Sequence, residues 1–305
     1  MHKDILFIGS GAIACLYASQ CAKDITTSVS LLCRTDYETI STHGVHIIHP
    51  SGSHSHFTPT QVLKMGAPSS ETYDYIIVCT KVLNTPYMIQ LIRPFLRQGS
   101  TIVLIQNGIH IEPPYKRAFP DHHLISGLAF VCVTRTSSGH IHHQDYGKLT
   151  LGTYPNQSSA HTHTLANSFN QGGGECTVSE CIAKDRFIKL LWNASFNPLS
   201  VIKGGKTTQL LLEDSDTVHI IRSIMQEVSL LSNAEGYPLN PKLIDQMITN
   251  TYSMTPYKTS MLIDYERGYP LEIDAILGQC LLLARQHNID IPYIRDAYES
   301  LVKLT

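Results

Sequence analysis

The sequence predicts an α/β protein in which a largely parallel sheet precedes an all-helical region. Three observations support this fold class. The apolar run Asp4–Ile8 leads into a glycine turn, a helical pattern and a second β-rich run, Ser28–Cys33. Further β-rich runs and helical stretches follow, and past Ser179 the pattern is almost wholly helical. Strands that alternate with helices are typical of a parallel sheet, because each helix carries the chain back along it.

The remaining elements and the domain boundary follow from the same patterns. Further strands are predicted at Tyr75–Cys79, Thr101–Ile105, Leu124–Thr134 and Lys148–Leu151. Helices are predicted at Asn84–Leu96, Ile182–Val201, Asp216–Ala234, Pro241–Thr251 and Leu271–His287. Asn, Ser, His and Gly dominate Tyr154–Cys176, and Gly172–Gly174 is a breaker. A chain of 305 residues is long for a single core, so we expect two domains, 1–178 and 179–305.

Composition and charge exclude several classes of partner. The chain is 43% hydrophobic and 16% charged, with a net charge of −2, which leaves no basic field for nucleic acid or anionic membranes. No apolar run approaches the roughly 20 residues of a membrane helix, and no signal peptide is visible. The eight cysteines include no C-x-x-C pair, as expected for reduced thiols. We therefore expect a cytoplasmic protein.

The sixteen histidines raise the question of a metal site. Two clusters contain eight of them: His43, His46, His49, His54 and His56 in one segment, and His140, His142 and His143 in another. Neither cluster has H-x-x-x-H spacing with nearby cysteine or carboxylate ligands. We expect surface-loop histidines and no metal.

The first glycine turn carries a dinucleotide fingerprint. Gly9, Gly11 and Ala14 give G-x-G-x-x-A between a predicted strand and a predicted helix. Gly9 permits the tight turn, Gly11 lets backbone amides approach a pyrophosphate, and Ala14 lets helix and strand pack closely. The sequence therefore predicts a Rossmann-type domain. Its cofactor-binding residues would include Gly9, Ser10, Gly11, Ala12, Ile13 and Ala14.

The end of the second strand favours NADP over NAD. Enzymes that prefer NAD usually carry an acidic residue there, whereas this chain has Arg34, whose guanidinium suits a 2′-phosphate. Asp36, two residues later, weakens the preference. If the fingerprint were wrong, Arg34 would be a solvated loop cation.

A polar stripe runs along the first long helix of the second half. Lys189, Asn193 and Asn197 recur every fourth position among apolar residues, so they share one helix face. The stripe is either a solvated face or the wall of a substrate pocket, because burying it unpaired is costly. Pro198 removes a backbone donor, so we expect a helix break or kink there.

Several landmarks in one order resemble the ketopantoate reductases (2-dehydropantoate 2-reductases) over essentially the whole chain. They are the glycine turn, Cys79-Thr-Lys81, Gln106-Asn-Gly108, the Lys189–Pro198 stripe, and Thr259–Asp264 followed by Glu272. The resemblance implies a Rossmann-type domain and an all-helical domain similar to the C-terminal domain of 6-phosphogluconate dehydrogenase. It also implies NADPH-dependent reduction of ketopantoate to pantoate, a small 2-keto acid substrate, on the route to pantothenate and coenzyme A.

The resemblance also implies roles for individual residues. Lys189 would be the general acid, and Glu272 would lie near the lysine, the cofactor and the substrate hydroxyl. Asn193 and Asn197 would hold substrate hydroxyl groups, and Ser260 the substrate carboxylate. Lys81 and Asn107 would contact the cofactor from the cleft side of the nucleotide domain.

Other interpretations stay open. Lys81 could be a solvated strand end, Glu272 a charge at a helix start, and Ser260 a helix cap. Asp264 is given no catalytic role. Ala14 and Leu271 stand where the family commonly has glycine and threonine, and the histidine-rich segment has no counterpart. A reductase of another small 2-keto acid and a non-catalytic NADPH sensor are the alternative functions, and both monomer and homodimer are compatible with the sequence.

Overall fold

The computed structural model describes residues 2–156 and 159–305. The chain divides into two compact units, which are described separately. The first unit contains the chain up to Gln106 together with Glu112–Ile182. The second contains Asn107–Ile111 and Ala183–Thr305. The short segment Asn107–Ile111 therefore belongs with the helical unit, although the sequence suggested one continuous domain over residues 1–178.

The first unit is a mixed α/β sheet domain, as predicted. Its strands are β1 Lys3–Ile8, β2 Thr27–Cys33, β3 Val45–Ile48, β4 His54–Phe57, β5 Gln61–Lys64, β6 Tyr73–Val78, β7 Leu96–Ile105, β8 His123–Ser137, β9 His140–Thr153 and β10 Glu175–Val178. Among the described residues they form one sheet of ten strands in the order β4-β3-β9-β8-β7-β6-β1-β2-β5, with β10 also paired to β9. All neighbours are parallel except β3 with β4 and β8 with β9.

The helices of this unit carry the chain between strands. They are α1 Ala12–Cys21, α2 Tyr37–His43, α3 Thr85–Ile92, α4 Glu112–Ala118 and α5 Ala160–Gln171, with a short 3₁₀ turn at Arg93–Phe95. The predicted helix Asn84–Leu96 is shorter than expected, because Asn84 caps it by accepting the Tyr87 N–H and Leu96 already begins β7. The stretch 154–176, in which Asn, Ser, His and Gly dominate, contains α5, which the sequence did not predict; residues 157 and 158 lie outside the described residues.

The strand order creates a switch point at β1. The strand pairs with β2 on one side and with β6 on the other, so Ile8 lies opposite Leu32 and Val78 at the carboxyl ends of three parallel strands. In open parallel sheets, ligands bind in the crevice at such a point. The glycine turn after β1 is therefore located where a nucleotide site is expected.

The prediction that the clustered histidines lie in surface loops is wrong. His46, His54 and His56 lie on strands β3 and β4, and not in surface loops. The reason is the alternation in β3, where Val45 and Ile47 are buried while the intervening histidine is exposed. The second cluster lies on β9, and its His143 is buried with Nε2 2.7 Å from the Tyr146 carbonyl oxygen.

The second unit is helical, as predicted. Its helices are α6 Ile182–Ile202, α7 Thr208–Leu212, α8 Ser215–Ala234, α9 Lys242–Ser253, α10 Ser260–Glu266, α11 Gln279–His287 and α12 Pro292–Leu304. Phe187, Leu190 and Leu191 of α6 are buried in its apolar core, on faces away from the polar stripe. No helix among the described residues is long and apolar enough to cross a membrane.

Two features of these helices bear on the sequence predictions. Helix α6 continues through Pro198 to Ile202, one residue past the predicted end at Val201; of the predicted break or kink at Pro198, the break is wrong. The predicted helix Leu271–His287 begins later: Asp274–Gly278 forms a π-helical turn that leads into α11, and Glu272 lies just before it. The wide turn presents the Ala275 carbonyl oxygen to the Ile109 N–H at 3.3 Å, a contact with a distant segment that periodicity cannot reveal.

Candidate active site

The glycine turn of the first unit has the conformation that the fingerprint predicts. Gly9 has φ +98°, and a Cβ there would lie 3.0 Å from Cγ2 of Thr80 after β6, so a side chain would strain the backbone and crowd the Thr80 methyl group. Gly11 is the N-cap of α1, and the space beside its Cα is open: a Cβ there would have no atom within 4 Å among the described residues. Backbone amides at the start of α1 can therefore approach an anion.

Asp36 is bound within the protein. It is buried, with its carboxylate accepting the Ser10 hydroxyl at 2.8 Å and pairing with the Arg135 guanidinium of β8. Burial would raise the pKa of Asp36, but the Ser10 hydrogen bond and the Arg135 cation outweigh it and hold that pKa below its ordinary value. The Asp36 carboxylate thus connects Ser10 of the glycine turn to Arg135 of β8. Sequence reasoning noted Asp36 and missed Arg135.

The two predicted cofactor cations differ in their surroundings. Arg34 directly follows β2; it is exposed and forms no salt bridge among the described residues, so its guanidinium is available to a ligand. Lys81 follows β6 and is partly buried. Both therefore lie beyond carboxyl ends of strands adjacent to β1.

In the second unit, Asn107 joins the two predicted catalytic residues. Nζ of Lys189 donates to Oδ1 of Asn107 at 3.0 Å, and Nδ2 of Asn107 donates to Oε2 of Glu272 at 3.3 Å. A lysine, an amide and a carboxylate thus form a continuous chain of hydrogen bonds. Three predicted site residues that are far apart in sequence are brought together.

Lys189 has an altered acidity. Burial lowers its pKa, the cation of Arg186 lowers it further, and the carboxylate of Glu272 opposes both, leaving a value of about 8. Sequence alone could not decide between desolvation and the nearby carboxylate; desolvation dominates. A lysine ammonium with this pKa can release a proton near neutral pH.

Arg186 is a site residue that sequence reasoning missed. It is buried, three positions before Lys189 on α6, and its Nη1 donates to the Gly108 carbonyl oxygen at 2.9 Å. Its spacing from Lys189 was the available signal, since residues three apart on a helix are neighbours. Gly108 has φ +94°, and a Cβ there would lie 2.4 Å from the Ala275 carbonyl oxygen. Only glycine fits between α6 and the π turn.

The asparagines of the stripe are buried and not solvated, which removes the solvated-face interpretation for them. Asn193 is 8% exposed and Asn197 is 1% exposed. Oδ1 of Asn197 has no hydrogen-bond partner among the described residues. A buried amide oxygen without a partner is costly, so such an atom at a candidate site marks a position for a ligand donor.

Ser260 is the first residue of α10 but does not cap it. Thr259 is the N-cap and accepts the Leu262 N–H at 3.1 Å, so the cap interpretation of Ser260 is wrong. The Thr259 hydroxyl also lies 2.6 Å from that of Ser200, which donates to the Asn197 carbonyl oxygen at 2.7 Å. These contacts attach the start of α10 to the end of the stripe, where the exposed Ser260 hydroxyl is accessible.

Known proteins resemble this chain over most of its length. Residues 5–156 match the family model described as ketopantoate reductase PanE/ApbA, and residues 181–304 match the model of its C-terminal part. A 2-dehydropantoate 2-reductase of Nostoc sp. is 30% identical over 98% of this chain and 94% of its own length. The crystal structure of 2-dehydropantoate 2-reductase from Methylococcus capsulatus is 40% identical, with a TM-score of 0.91 over 99% of this chain and 96% of that chain.

A more distant structure has the same fold. The ternary structure of D-mandelate dehydrogenase with NADH and anilino(oxo)acetate has a TM-score of 0.90 at 19% identity, over 99% of this chain and 97% of that chain. The family resemblance drawn from the sequence motifs is confirmed by the two family models and the two closer relatives. This chain belongs to the ketopantoate reductase PanE/ApbA family of oxidoreductases.

Proposed function

We propose that the protein reduces 2-dehydropantoate to pantoate with NADPH, and that Lys189 is the proton donor. The observation that carries the proposal is the partly buried ammonium of Lys189, hydrogen-bonded to Asn107 and lowered in pKa to about 8. Relatives named 2-dehydropantoate 2-reductase at 30% and 40% identity support the choice of substrate.

The residues around the glycine turn suit a nicotinamide dinucleotide. The open space at Gly11 fits a pyrophosphate against the first amides of α1, and Gly9, Ser10, Ala12, Ile13 and Ala14 complete the turn and helix start. When bound, the cofactor would supply the hydride. Lys81 would provide a further cation beside the turn.

The charges at the end of β2 support NADPH in preference to NADH. Arg34 is exposed and available to a 2′-phosphate, which an arginine fork can bind through two hydrogen bonds. Asp36, the acid that could instead accept the ribose hydroxyls, is already bound by Ser10 and Arg135. Arg34 is therefore available to bind a 2′-phosphate, whereas Asp36 is not available to bind the ribose hydroxyls.

Lys189 and its partners provide the acid chemistry of ketone reduction. Adding hydride to a carbonyl carbon leaves negative charge on oxygen, which a nearby cation stabilises and a proton neutralises. Nζ of Lys189 holds that proton. Oδ1 of Asn107 orients the ammonium, and Glu272 orients the Asn107 amide from its other end. Asn107 and Glu272 would also adjoin the reactive part of the cofactor.

The asparagines and Ser260 would bind the remaining substrate groups. Oδ1 of Asn197 needs a donor, which a substrate hydroxyl can supply, and Asn193 lies one turn away on the same face. Asparagine both donates and accepts, so two of them can bind a hydroxylated keto acid in a defined orientation. The Ser260 hydroxyl at the start of α10 would donate to the substrate carboxylate.

The test is NADPH oxidation with 2-dehydropantoate beside a panel of simple 2-keto acids. Wild type should prefer 2-dehydropantoate, and Lys189→Ala should lower kcat by about 10² to 10⁴-fold while NADPH still binds. Lys184→Ala, on the same helix, is the matched control and should keep full activity. Preference for another keto acid would move the assignment to that substrate, and tight NADPH binding without any turnover would indicate a sensor.

A further inference from the structure

A carboxylate bound by two imidazoles lies in the second unit. Oε2 of Glu235 is 2.9 Å from Nε2 of His110, and Oε1 is 2.5 Å from Nε2 of His287. The Glu235 side chain is 16% exposed, so this carboxylate is largely withdrawn from water and strongly dependent on its two partners. None of the roles described above uses these residues.

The three residues belong to three separate elements. Glu235 follows α8, and His287 is the last residue of α11. His110 lies in the segment Asn107–Ile111, which also carries Asn107. One carboxylate thus connects the ends of two helices to the short segment that orients the catalytic lysine.

His110 is held in an unusual backbone conformation. Its φ is +53°, in the left-handed region that favours glycine, so the residue carries backbone strain. Such a conformation persists only where the surroundings enforce it. Here the Ile109 N–H is bound to the Ala275 carbonyl oxygen on one side, and the His110 ring is bound to Glu235 on the other.

The strained segment has a specific task in the active site. The Asn107 amide must direct Oδ1 toward Lys189 and Nδ2 toward Glu272, and only two residues separate it from His110. The contact between Arg186 and Gly108 fixes the middle of the segment, and the Glu235 contact fixes its far end. A change in the backbone at His110 would rotate or displace Asn107.

We propose that His110, Glu235 and His287 form a clamp that positions Asn107, and through it the proton of Lys189. The proposal rests on the proposed function. The clamp residues are positioning residues: they reach the reacting groups only through the segment Asn107–Ile111.

A double-mutant cycle with Asn107 tests the clamp. His110→Ala should lower kcat about tenfold, with the KM for NADPH unchanged, because a small misplacement of a catalytic group has a large kinetic effect. In the Asn107→Ala background, His110→Ala should cause no further loss. Independent, multiplying losses in the double variant would overturn the proposal, since a residue that only stabilises the fold does not act through Asn107.

Further variants separate the clamp from backbone strain and from general stability. His110→Gly removes the imidazole and relieves the left-handed strain, so it should fold well and still lose about tenfold in kcat. Wild-type kcat in this variant would overturn the proposal. Arg222→Ala, which breaks the α8 contact with Asp245 at 2.6 Å, is the control and should leave kcat unchanged.

A second readout does not depend on turnover. Mass spectrometry can follow the rate at which an amine-reactive reagent labels Lys189. This labelling rate should rise equally in His110→Ala and Asn107→Ala, and no further in the double variant. If wild type reduces no keto acid, the proposed function fails, and this labelling cycle still decides the clamp. An unchanged labelling rate in His110→Ala would overturn it.

Discussion

Lys189 Nζ lies 3.0 Å from Oδ1 of Asn107, a residue 82 positions earlier in the chain. Asn107 in turn donates to Glu272, 165 positions later. The amide therefore bonds to a cation through its oxygen and to a carboxylate through its nitrogen. Burial and the Arg186 cation outweigh the opposing charge of Glu272, so the pKa of Lys189 falls to about 8 although an acid is nearby.

The pH profile of reduction should report the charges around Lys189. The acid must be protonated, so kcat should be constant below about pH 8 and fall about tenfold per pH unit above it. Arg186→Gln removes a cation that lowers the pKa, so the descending limb should move to higher pH. Glu272→Gln removes an anion that raises the pKa, so the limb should move to lower pH. Shifts in the opposite directions, measured as kcat against pH, would contradict this electrostatic assignment.

Arg34 should decide affinity for the 2′-phosphate. Arg34→Ala should weaken NADPH binding by about 10- to 100-fold, because a hydrogen-bonded charge pair is lost, and leave NADH binding unchanged. Fluorescence titration of both cofactors measures the effect without turnover. Lys23→Ala is the control, because Lys23 is an exposed cation just beyond the C-terminal end of α1, away from the glycine turn. Equal weakening of both cofactors would mean that Arg34 does not contact the phosphate.

Arg135 should influence the choice of cofactor without contacting it. Arg135→Met leaves the Asp36 carboxylate without its cation, so it becomes available to ribose hydroxyls and repels a 2′-phosphate. We expect the ratio of NADPH to NADH affinity to fall about tenfold or more, since a lost charge partner typically has an effect of this size. Arg135→Met combined with Asp36→Asn should restore the preference. If the double variant behaves like Arg135→Met alone, Asp36 is not responsible.

Asn197 should contribute more to substrate binding than to stability. Its buried Oδ1 has no partner among the described residues, so Asn197→Ala removes an unsatisfied atom and should change the free energy of unfolding little. The KM for the keto acid should rise about tenfold or more, with the affinity for NADPH unchanged. Steady-state kinetics and urea unfolding measure the two effects. A destabilised variant with an unchanged KM would assign Asn197 to the fold.

Much of the fold was predictable because its signals are local. Apolar runs identified β1, β2, β6 and β7, and the long apolar periodicities identified α6, α8, α9 and α11. The helices α7, α10 and α12 were not predicted individually. The strands of the histidine-rich segment were missed because Val45 and Ile47 give only a short alternation among many polar residues. The π turn at Asp274–Gly278 was missed because it depends on a segment more than 160 residues away.

The sequence by itself determined the glycine turn, the spacing of Lys189, Asn193 and Asn197 on one helix face, and the family. Each depends on residues that are close in the chain, where backbone geometry dictates which side chains share a face. Only the tertiary structure decided that Asn107 belongs with the helical unit, that Arg135 forms an ion pair with Asp36, and that burial controls the acidity of Lys189. Desolvation and ion pairing act through space between distant parts of the chain, and sequence periodicity carries no information about them.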